Sequence, residues 1–418
     1  MESATKYVKV ASHEAKKGDF DTCLLLYSGG LDTSVMLKWI QEEYACKVIT
    51  LTLDIGQTAD DLGAIKQKAL DLGAVDAIVY DAKDKFADEL LTLAIMANAD
   101  YQGGYALSTP LGRVVISEVA VEVAKQKGCQ VIAHGCTGKG NDQVRFETYI
   151  TTLNPSIKIL APVREWSMGR DEEIDYAKKH NIPVKQTKDK PYSYDENLWG
   201  NTGEGGEIED PALVPKLTDI LQWCNLPQDA PNEAQIVTIE FKSGKPISID
   251  DSPMKLSELV MALNAIGGEH GIGVVNLIED RMVGLKVRGV YENPAATILT
   301  LAHKKLEMLV STRQENEFKA SVDSKWAYLT YAANWYDPVM SHLHAYMKDQ
   351  NNKVTGWVKV QLIKGVATVV ALHSENSLFN ASLATFNKDA SFNQNSSAGF
   401  IEIHALPQKT AYNISRIR

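Results

Sequence analysis

The sequence predicts an α/β protein: a doubly wound parallel sheet over residues 23–186, an α+β domain over 187–373 and a C-terminal tail over 374–418, preceded by an extension over 1–22. Three observations predict it. Short apolar runs alternate with amphipathic helical stretches through the first part, which is the grammar of parallel strands covered on both faces. Beyond about residue 185 the pattern shifts to alternating strands and a hairpin signal. The last segment has few long apolar runs and can bury surface only against another part of the molecule or another subunit.

The extension is polar and carries Lys16-Lys17-Gly18-Asp19, a surface segment that packs locally. Strands are expected at Cys23–Tyr27, Lys47–Leu53, Ala77–Asp81, Gln130–His134 and Ile157–Ala161. Between them, Ala59–Leu72 and Leu111–Lys127 read as helices, with Gly73 and Gly128 as C-caps. Strand, helix, strand in this order implies right-handed crossovers and a ligand at the carboxyl ends of the strands. Arg170–His180 closes the first domain. Lys185–Gly206 is loop-rich and aromatic, and the next stretch is broken by Pro211, Pro215, Pro227 and Pro231. Strands follow at Ile236–Phe241, Ile247–Ile249, Val274–Glu279 and Val283–Val287, with a helix at Leu256–Gly267. Lys325–Asp349 reads as one helix, and Thr355–Leu362 with Ala367–Leu372 as a hairpin around Lys364-Gly365.

The 418 residues carry a formal net charge of −10, which argues against a nonspecific nucleic-acid binder and favours small-molecule chemistry. The N-terminus has no apolar signal core and no segment is long and apolar enough to span a bilayer, so a cytoplasmic enzyme with no membrane partner is expected. The five cysteines form no C-x-x-C pair and predict neither a disulfide framework nor a zinc site. Without a secretory signal, the sequons at Asn380, Asn395 and Asn413 carry no information.

The most informative stretch is Tyr27-Ser28-Gly29-Gly30-Leu31-Asp32-Thr33-Ser34, between the first strand and a helix with apolar residues at Val35, Met36, Trp39 and Ile40. Two glycines allow a tight turn and a close backbone approach, and the first helical amides face an anion with Ser28, Thr33 and Ser34 as hydroxyl donors. No G-x-x-x-x-G-K-[ST] or G-x-G-x-x-G element occurs. An ordinary strand-to-helix turn with Asp32 near the helix start would read the same way. The second stretch, His134-Gly135-Cys136-Thr137-Gly138-Lys139-Gly140-Asn141-Asp142-Gln143-Val144-Arg145-Phe146-Glu147, also follows a strand. It packs both charge signs and amides between glycines, a mixture that suits a zwitterion. Pro191–Trp199 and the run Glu279-Asp280-Arg281 through Lys286, Arg288 and Tyr291 are ambiguous alone, since charged strand ends are usually just solvated.

Together, Ser28–Ser34, Gly56-Gln57, His134–Glu147, Ser193–Leu198 and Glu279–Tyr291 resemble the argininosuccinate synthases, within the ATP pyrophosphatase loop superfamily, from about Cys23 to Leu301. The resemblance implies an AMP-forming ligase that joins L-citrulline to L-aspartate through a citrullyl-adenylate, releases pyrophosphate, uses ATP and Mg2+, and assembles as a homotetramer. It places ATP on Tyr27, Ser28, Gly29, Gly30, Leu31, Asp32, Thr33, Ser34, Leu53 and Gly135, with Asp32 on the magnesium and phosphate side. Citrulline falls to Tyr105, Asn141, Arg145, Ser193, Thr202, Glu279 and Tyr291, and aspartate to Thr137, Asn141 and Asp142. Asp32 and Asp142 are the implied catalytic carboxylates, and no protein-held metal centre is implied.

Three positions depart from the family pattern: Pro110 stands where serine or alanine is usual, Thr202 where serine is expected, and Val287 where a serine precedes the arginine matched by Arg288. They bear on pocket geometry. Rival readings are another loop-superfamily synthetase, which lacks here a catalytic cysteine pair or a fused glutaminase, and a noncatalytic adenine-nucleotide sensor. A sensor has no use for Thr137, Asp142, Arg145 and Glu279 together.

Overall fold

A computed structural model of the chain describes residues 7–58, 61–166, 168–183, 191–384 and 393–416. The start of the expected helix at 59–72, the boundary at 186/187 and the start of the 185–206 loop lie outside the described residues.

β1 (Thr22–Leu26), β2 (Lys47–Asp54), β3 (Asp76–Asp81), β4 (Val131–Ala133) and β5 (Lys158–Leu160) form one wholly parallel sheet in the order β3-β2-β1-β4-β5. Its inner strands β1, β2 and β4 are almost continuously buried because helices cover both faces, as a parallel sheet requires, while the edge strand β3 is mostly half-buried. The chain winds outward from β1 in both directions, so the gap between the ends of β1 and β4 is the topological switch point. The extension does not hang free. Glu14 pairs with Ile159 in parallel, and His13 and Ala15 exchange backbone hydrogen bonds with Ile159 at 2.8 Å each, which covers the β5 edge.

β6 (Ser193–Asn197), β7 (Gly200–Glu204), β11 (Val274–Asp280) and β12 (Lys286–Glu292) form an antiparallel sheet in the order β11-β12-β7-β6. β8 (Gln235–Lys242), β9 (Lys245–Ile249), β10 (Ser252–Pro253), β13 (Gly356–Ile363) and β14 (Val366–His373) form another, ordered β10-β9-β8-β13-β14. The β13–β14 turn has positive φ at both Lys364 (44°) and Gly365 (83°), the twist a two-residue hairpin demands.

Several expectations shift. Val283 lies in a hairpin turn rather than a strand: Arg281 N–H donates to the Leu285 carbonyl, and β12 begins at Lys286. The single helix expected over Lys325–Asp349 is two, Arg313–Tyr331 and Pro338–Asn351: the first closes in a left-handed turn at Ala333 (φ 59°) with Asn334 N–H on the Leu329 carbonyl, and Asp337-Pro338 starts the second. The helix expected from Leu111 begins at Ser108, since a proline at its third position costs no intrahelical hydrogen bond. Helix Pro294–Val310, which starts with Pro294 in its first turn after Asn293, was not expected; most of its residues are buried, with Lys304, Lys305 and Met308 exposed.

Candidate active site

A cleft of about 1850 Å³ opens across the β1–β4 switch point and extends to the face of the β11-β12-β7-β6 sheet. At one end, helix Leu31–Tyr44 starts from Gly30 with no side-chain cap, so its first amides remain for a ligand. Gly29 takes φ 79°, and a Cβ there would lie 2.9 Å from Ile65. Helix Leu62–Asp71 fixes this turn from below: Lys68 Nζ donates to the Gly29 carbonyl at 2.9 Å. Ser28 and Thr33 hydroxyls lie 3.2 Å apart at the cleft wall, with Gly30, Leu31 and Asp32 beside them. Helices Ser108–Lys127 and Asp142–Leu153 also point uncapped N-termini at the cleft, through Thr109 and Asn141. Three partially positive helix ends thus converge on one space, an arrangement that attracts phosphates and carboxylates.

The other end is built on the sheet. Thr202 faces Tyr291 across β7–β12, and Ser193 faces Glu204 across β6–β7. The Tyr291 ring runs over Gly289, where a Cβ would sit 2.9 Å from the ring, and its hydroxyl donates to Glu279 Oε2 at 3.0 Å. Tyr105 packs against that ring with centroids 4.8 Å apart. Burial, and then the Glu279 charge, push the Tyr291 hydroxyl up, so it stays protonated and donating. Arg281 bridges Glu204 at 2.6 Å and Glu279 at 3.4 Å. Glu204 is nonetheless raised above the usual carboxylate range, because burial outweighs Arg281. Thr202 borders the cleft, and its buried hydroxyl has no partner among the described residues.

Between the two ends lies an ion network. Arg113 donates to Asp142 Oδ2 through Nε (3.0 Å) and Nη2 (2.8 Å) and to Asp195 through Nη2 (2.7 Å), while Arg145 Nη1 reaches Asp142 Oδ1 at 2.8 Å. Burial alone would raise Asp142, but the two guanidiniums hold it below the usual carboxylate range. Thr137 and Gly135 line the adjoining loop, and Tyr105, Asn141, Ser193 and Glu279 line the same cleft.

The structure therefore brings together Ser28, Gly30, Leu31, Asp32, Thr33, Gly135, Tyr105, Thr137, Asn141, Asp142, Arg145, Ser193, Thr202, Glu279 and Tyr291. It places four expected residues outside the cleft lining. Tyr27 and Ser34 hydrogen-bond each other at 3.0 Å, and the Ser34 hydroxyl donates to the Gly30 carbonyl. Gly29 turns its carbonyl to Lys68. Leu53 is buried in the core with its carbonyl taken by Gln57 Nε2 at 2.7 Å. Arg288 faces away and grips the carbonyls of Glu207, Ile208 and Leu213. Arg113 was missed: it belongs to no motif, and the only signal is a lone cation among Leu111, Val114 and Val115 on a buried helix face.

Behind the loop, His134 Nδ1 accepts the Cys136 amide, so its Nε2–H faces Glu147 at 3.2 Å. Glu147 also meets Arg164 and, from the extension, His13, each at 2.7 Å. Burial raises it, but the His134 bond, the Arg164 charge and His13 bring it down to about 2. A carboxylate depressed in the fold gives stability that is complete above its ordinary value of 4.5 and lost as pH falls through about 2. Glu147→Gln should therefore lower stability at pH 7 by an amount of the order of 2 kcal/mol, and the deficit should shrink below pH 4.5. Thermal unfolding across pH checks this; a pH-independent deficit contradicts it.

The chain matches two family models, the arginosuccinate synthase N-terminal HUP domain over residues 22–183 and the arginosuccinate synthase C-terminal domain over residues 192–411. Argininosuccinate synthase of Oceanobacillus iheyensis is 48% identical over 385 residues, covering 92% of this chain and 92% of that protein. The enzyme of the same name from Pyrococcus furiosus is 48% identical over 391 residues, covering 94% of each. That of Symbiobacterium thermophilum is 46% identical, covering 93% of this chain and 96% of its own.

Proposed function

The chain belongs to the argininosuccinate synthase family, and from that premise we propose how its own cleft divides the work of the reaction. It is an ATP-dependent ligase that joins citrulline to aspartate in arginine biosynthesis. In our reading the citrulline ureido oxygen attacks the α-phosphorus of ATP, the α–β bridge breaks, and pyrophosphate leaves carrying the bonding electron pair. The aspartate amine then attacks the ureido carbon and AMP departs with the former ureido oxygen.

The loop end serves the first step. The open amides of Leu31–Thr33 and the hydroxyls of Ser28 and Thr33 stabilise the charge that grows on pyrophosphate, and Gly135 lines the nucleotide side. The Asp32 carboxylate lines this end, and a hard oxygen donor is what Mg2+ takes, so Asp32 with phosphate oxygens and water would hold it. Bound there, the ion would neutralise phosphate charge. The sheet end holds citrulline: Glu279 and Tyr291 suit its ammonium and ureido N–H groups, the unpaired Thr202 hydroxyl adds a donor, and Tyr105, Arg145 and Ser193 complete the wall. A carboxylate accepts about four hydrogen bonds. Arg113 and Arg145 supply three to Asp142, which leaves one lone pair for the aspartate ammonium, with Thr137 and Asn141 alongside.

The observation that carries this division is a single cleft joining an uncapped anion-binding helix start to a paired, buried carboxylate and tyrosine. Citrulline labelled with ¹⁸O in its ureido group tests it, since the label should appear in AMP; unlabelled AMP contradicts an adenylated ureido oxygen.

We place the reaction in the cytoplasm, where thiols such as Cys23 and Cys136 stay reduced. No helix among the described residues is long and apolar enough to cross a membrane. We also propose a homotetramer in which the tail packs on a neighbouring copy: helices Ser396–His404 and Leu406–Ser415 expose Phe400, Ile401, Ile403, Tyr412 and Ile414, with Ile403 70% accessible. Deleting residues 393–418 should lower the mass seen by light scattering, and an unchanged mass contradicts the assignment.

A further inference from the structure

Helix Arg313–Tyr331 starts on a capping box of Thr312 and Glu315 and ends against the amino-acid end of the cleft. The last carbonyls of a helix have no intrahelical partner and carry partial negative charge. The Tyr331 carbonyl takes two donors from one guanidinium, Arg145 Nε at 3.2 Å and Nη2 at 3.0 Å, and that guanidinium lies 5.0 Å from the centre of the Tyr331 ring. The Tyr331 hydroxyl accepts from Asn141 Nδ2 at 2.8 Å and donates to the Asp280 carbonyl at 2.9 Å. Its ring is stacked on Tyr101, with centroids 3.8 Å apart and planes within 11°. On its other side Asn141 Oδ1 accepts the Met282 amide at 2.9 Å.

Three elements thus meet on one side chain: the start of helix Asp142–Leu153, the tip of the β11–β12 hairpin and the end of helix Arg313–Tyr331. We infer that Tyr331 is a positioning residue for the ligation, locking the Asn141 amide and the hairpin tip that carries Glu279 and Arg281 into one register. This rests on the reading of Asn141 as a contact for both amino-acid substrates. With one amide proton and one oxygen lone pair committed to protein, Asn141 cannot rotate, and its remaining proton and lone pair have a fixed aim. Tyr331 acts through Asn141 and makes no contact with the Ser28–Thr33 loop among the described residues.

Tyr331→Phe keeps the ring stack and the backbone carbonyl and removes only the hydroxyl. Steady-state kinetics with each substrate varied should show KM for citrulline and for aspartate raised about tenfold, the worth of one buried hydrogen bond, with KM for ATP within about twofold of the parent. A loss of packing alone would lower Tm and leave this split absent. Asn141→Ala and the double variant complete the cycle. If Tyr331 acts through Asn141, the double variant is no worse than Asn141→Ala alone. Additive losses, or unchanged KM values in Tyr331→Phe beside raised ones in Asn141→Ala, overturn the inference and leave the site reading standing. Unchanged KM values in Asn141→Ala overturn the site reading and the inference with it.

Discussion

Arg113→Ala is expected to lower kcat/KM for both citrulline and aspartate by at least about 100-fold, the scale set when a reacting group loses its alignment. Arg113 is largely screened from solvent and its guanidinium holds two carboxylates at once, Asp142 and Asp195, through bonds of 2.7–3.0 Å. Burial works against its charge, yet those two carboxylates raise its affinity for the proton. Removing it leaves Asp142 with Arg145 alone and Asp195 facing the cleft as a second, now unbalanced anion. Breaking a hydrogen-bonded, partly buried charge network in this way is destabilising, so a lowered Tm should accompany the kinetic loss. Arg113→Lys should not rescue it, because a point charge on a flexible stem cannot span two carboxylates as a planar fork does. Steady-state kinetics at saturating ATP checks this, and a loss of less than tenfold would show that Asp142 needs no second cation.

Gly29→Val should be the other severe change, lowering citrulline-dependent pyrophosphate release by at least about 100-fold with little change in the affinity of the sheet end for citrulline. Two effects combine. Gly29 sits at φ 79°, a region β-branched residues scarcely enter, and its Cβ would lie 2.9 Å and 3.0 Å from the two γ-carbons of Ile65. The turn must shift, and the Gly29 carbonyl then leaves Lys68. Since Gly30 starts the helix, displacement moves the open amides that we propose face the phosphates. Rapid-quench measurement of pyrophosphate isolates this step; a near-parental burst would mean that the loop does not bear the developing charge.

How much of this was legible follows from the kind of signal each residue carries. The parallel sheet and its switch point showed in the alternation of Cys23–Tyr27, Lys47–Leu53 and their neighbours, because strands buried on both faces must be continuously apolar. The glycine-bearing loops were legible because their composition is unusual for their position. The β12 start was misplaced because Val283 looks like a strand residue, while the Arg281–Leu285 turn is set by backbone pairing that side-chain type does not encode. Helix Pro294–Val310 was missed although Asn293-Pro294 is a helix-start signal and Lys304, Lys305 and Met308 form an exposed stripe on an otherwise largely buried helix. Arg113 and Tyr331 were missed for a shared reason: each is an ordinary residue on a helix, and its importance arises from partners 29 to 190 positions away in sequence. Only the fold brings these together. The extension likewise became interpretable once His13 was seen on Glu147.

The central claim is that one cleft runs two separable steps, with adenylation at the loop end complete before aspartate reacts. Single-turnover pyrophosphate release from enzyme, ATP, Mg2+ and citrulline, with aspartate omitted, tests it most directly. A burst of about one pyrophosphate per site that requires citrulline, followed by sustained turnover only when aspartate is added, is the predicted result. Absence of any burst until aspartate is present would contradict it.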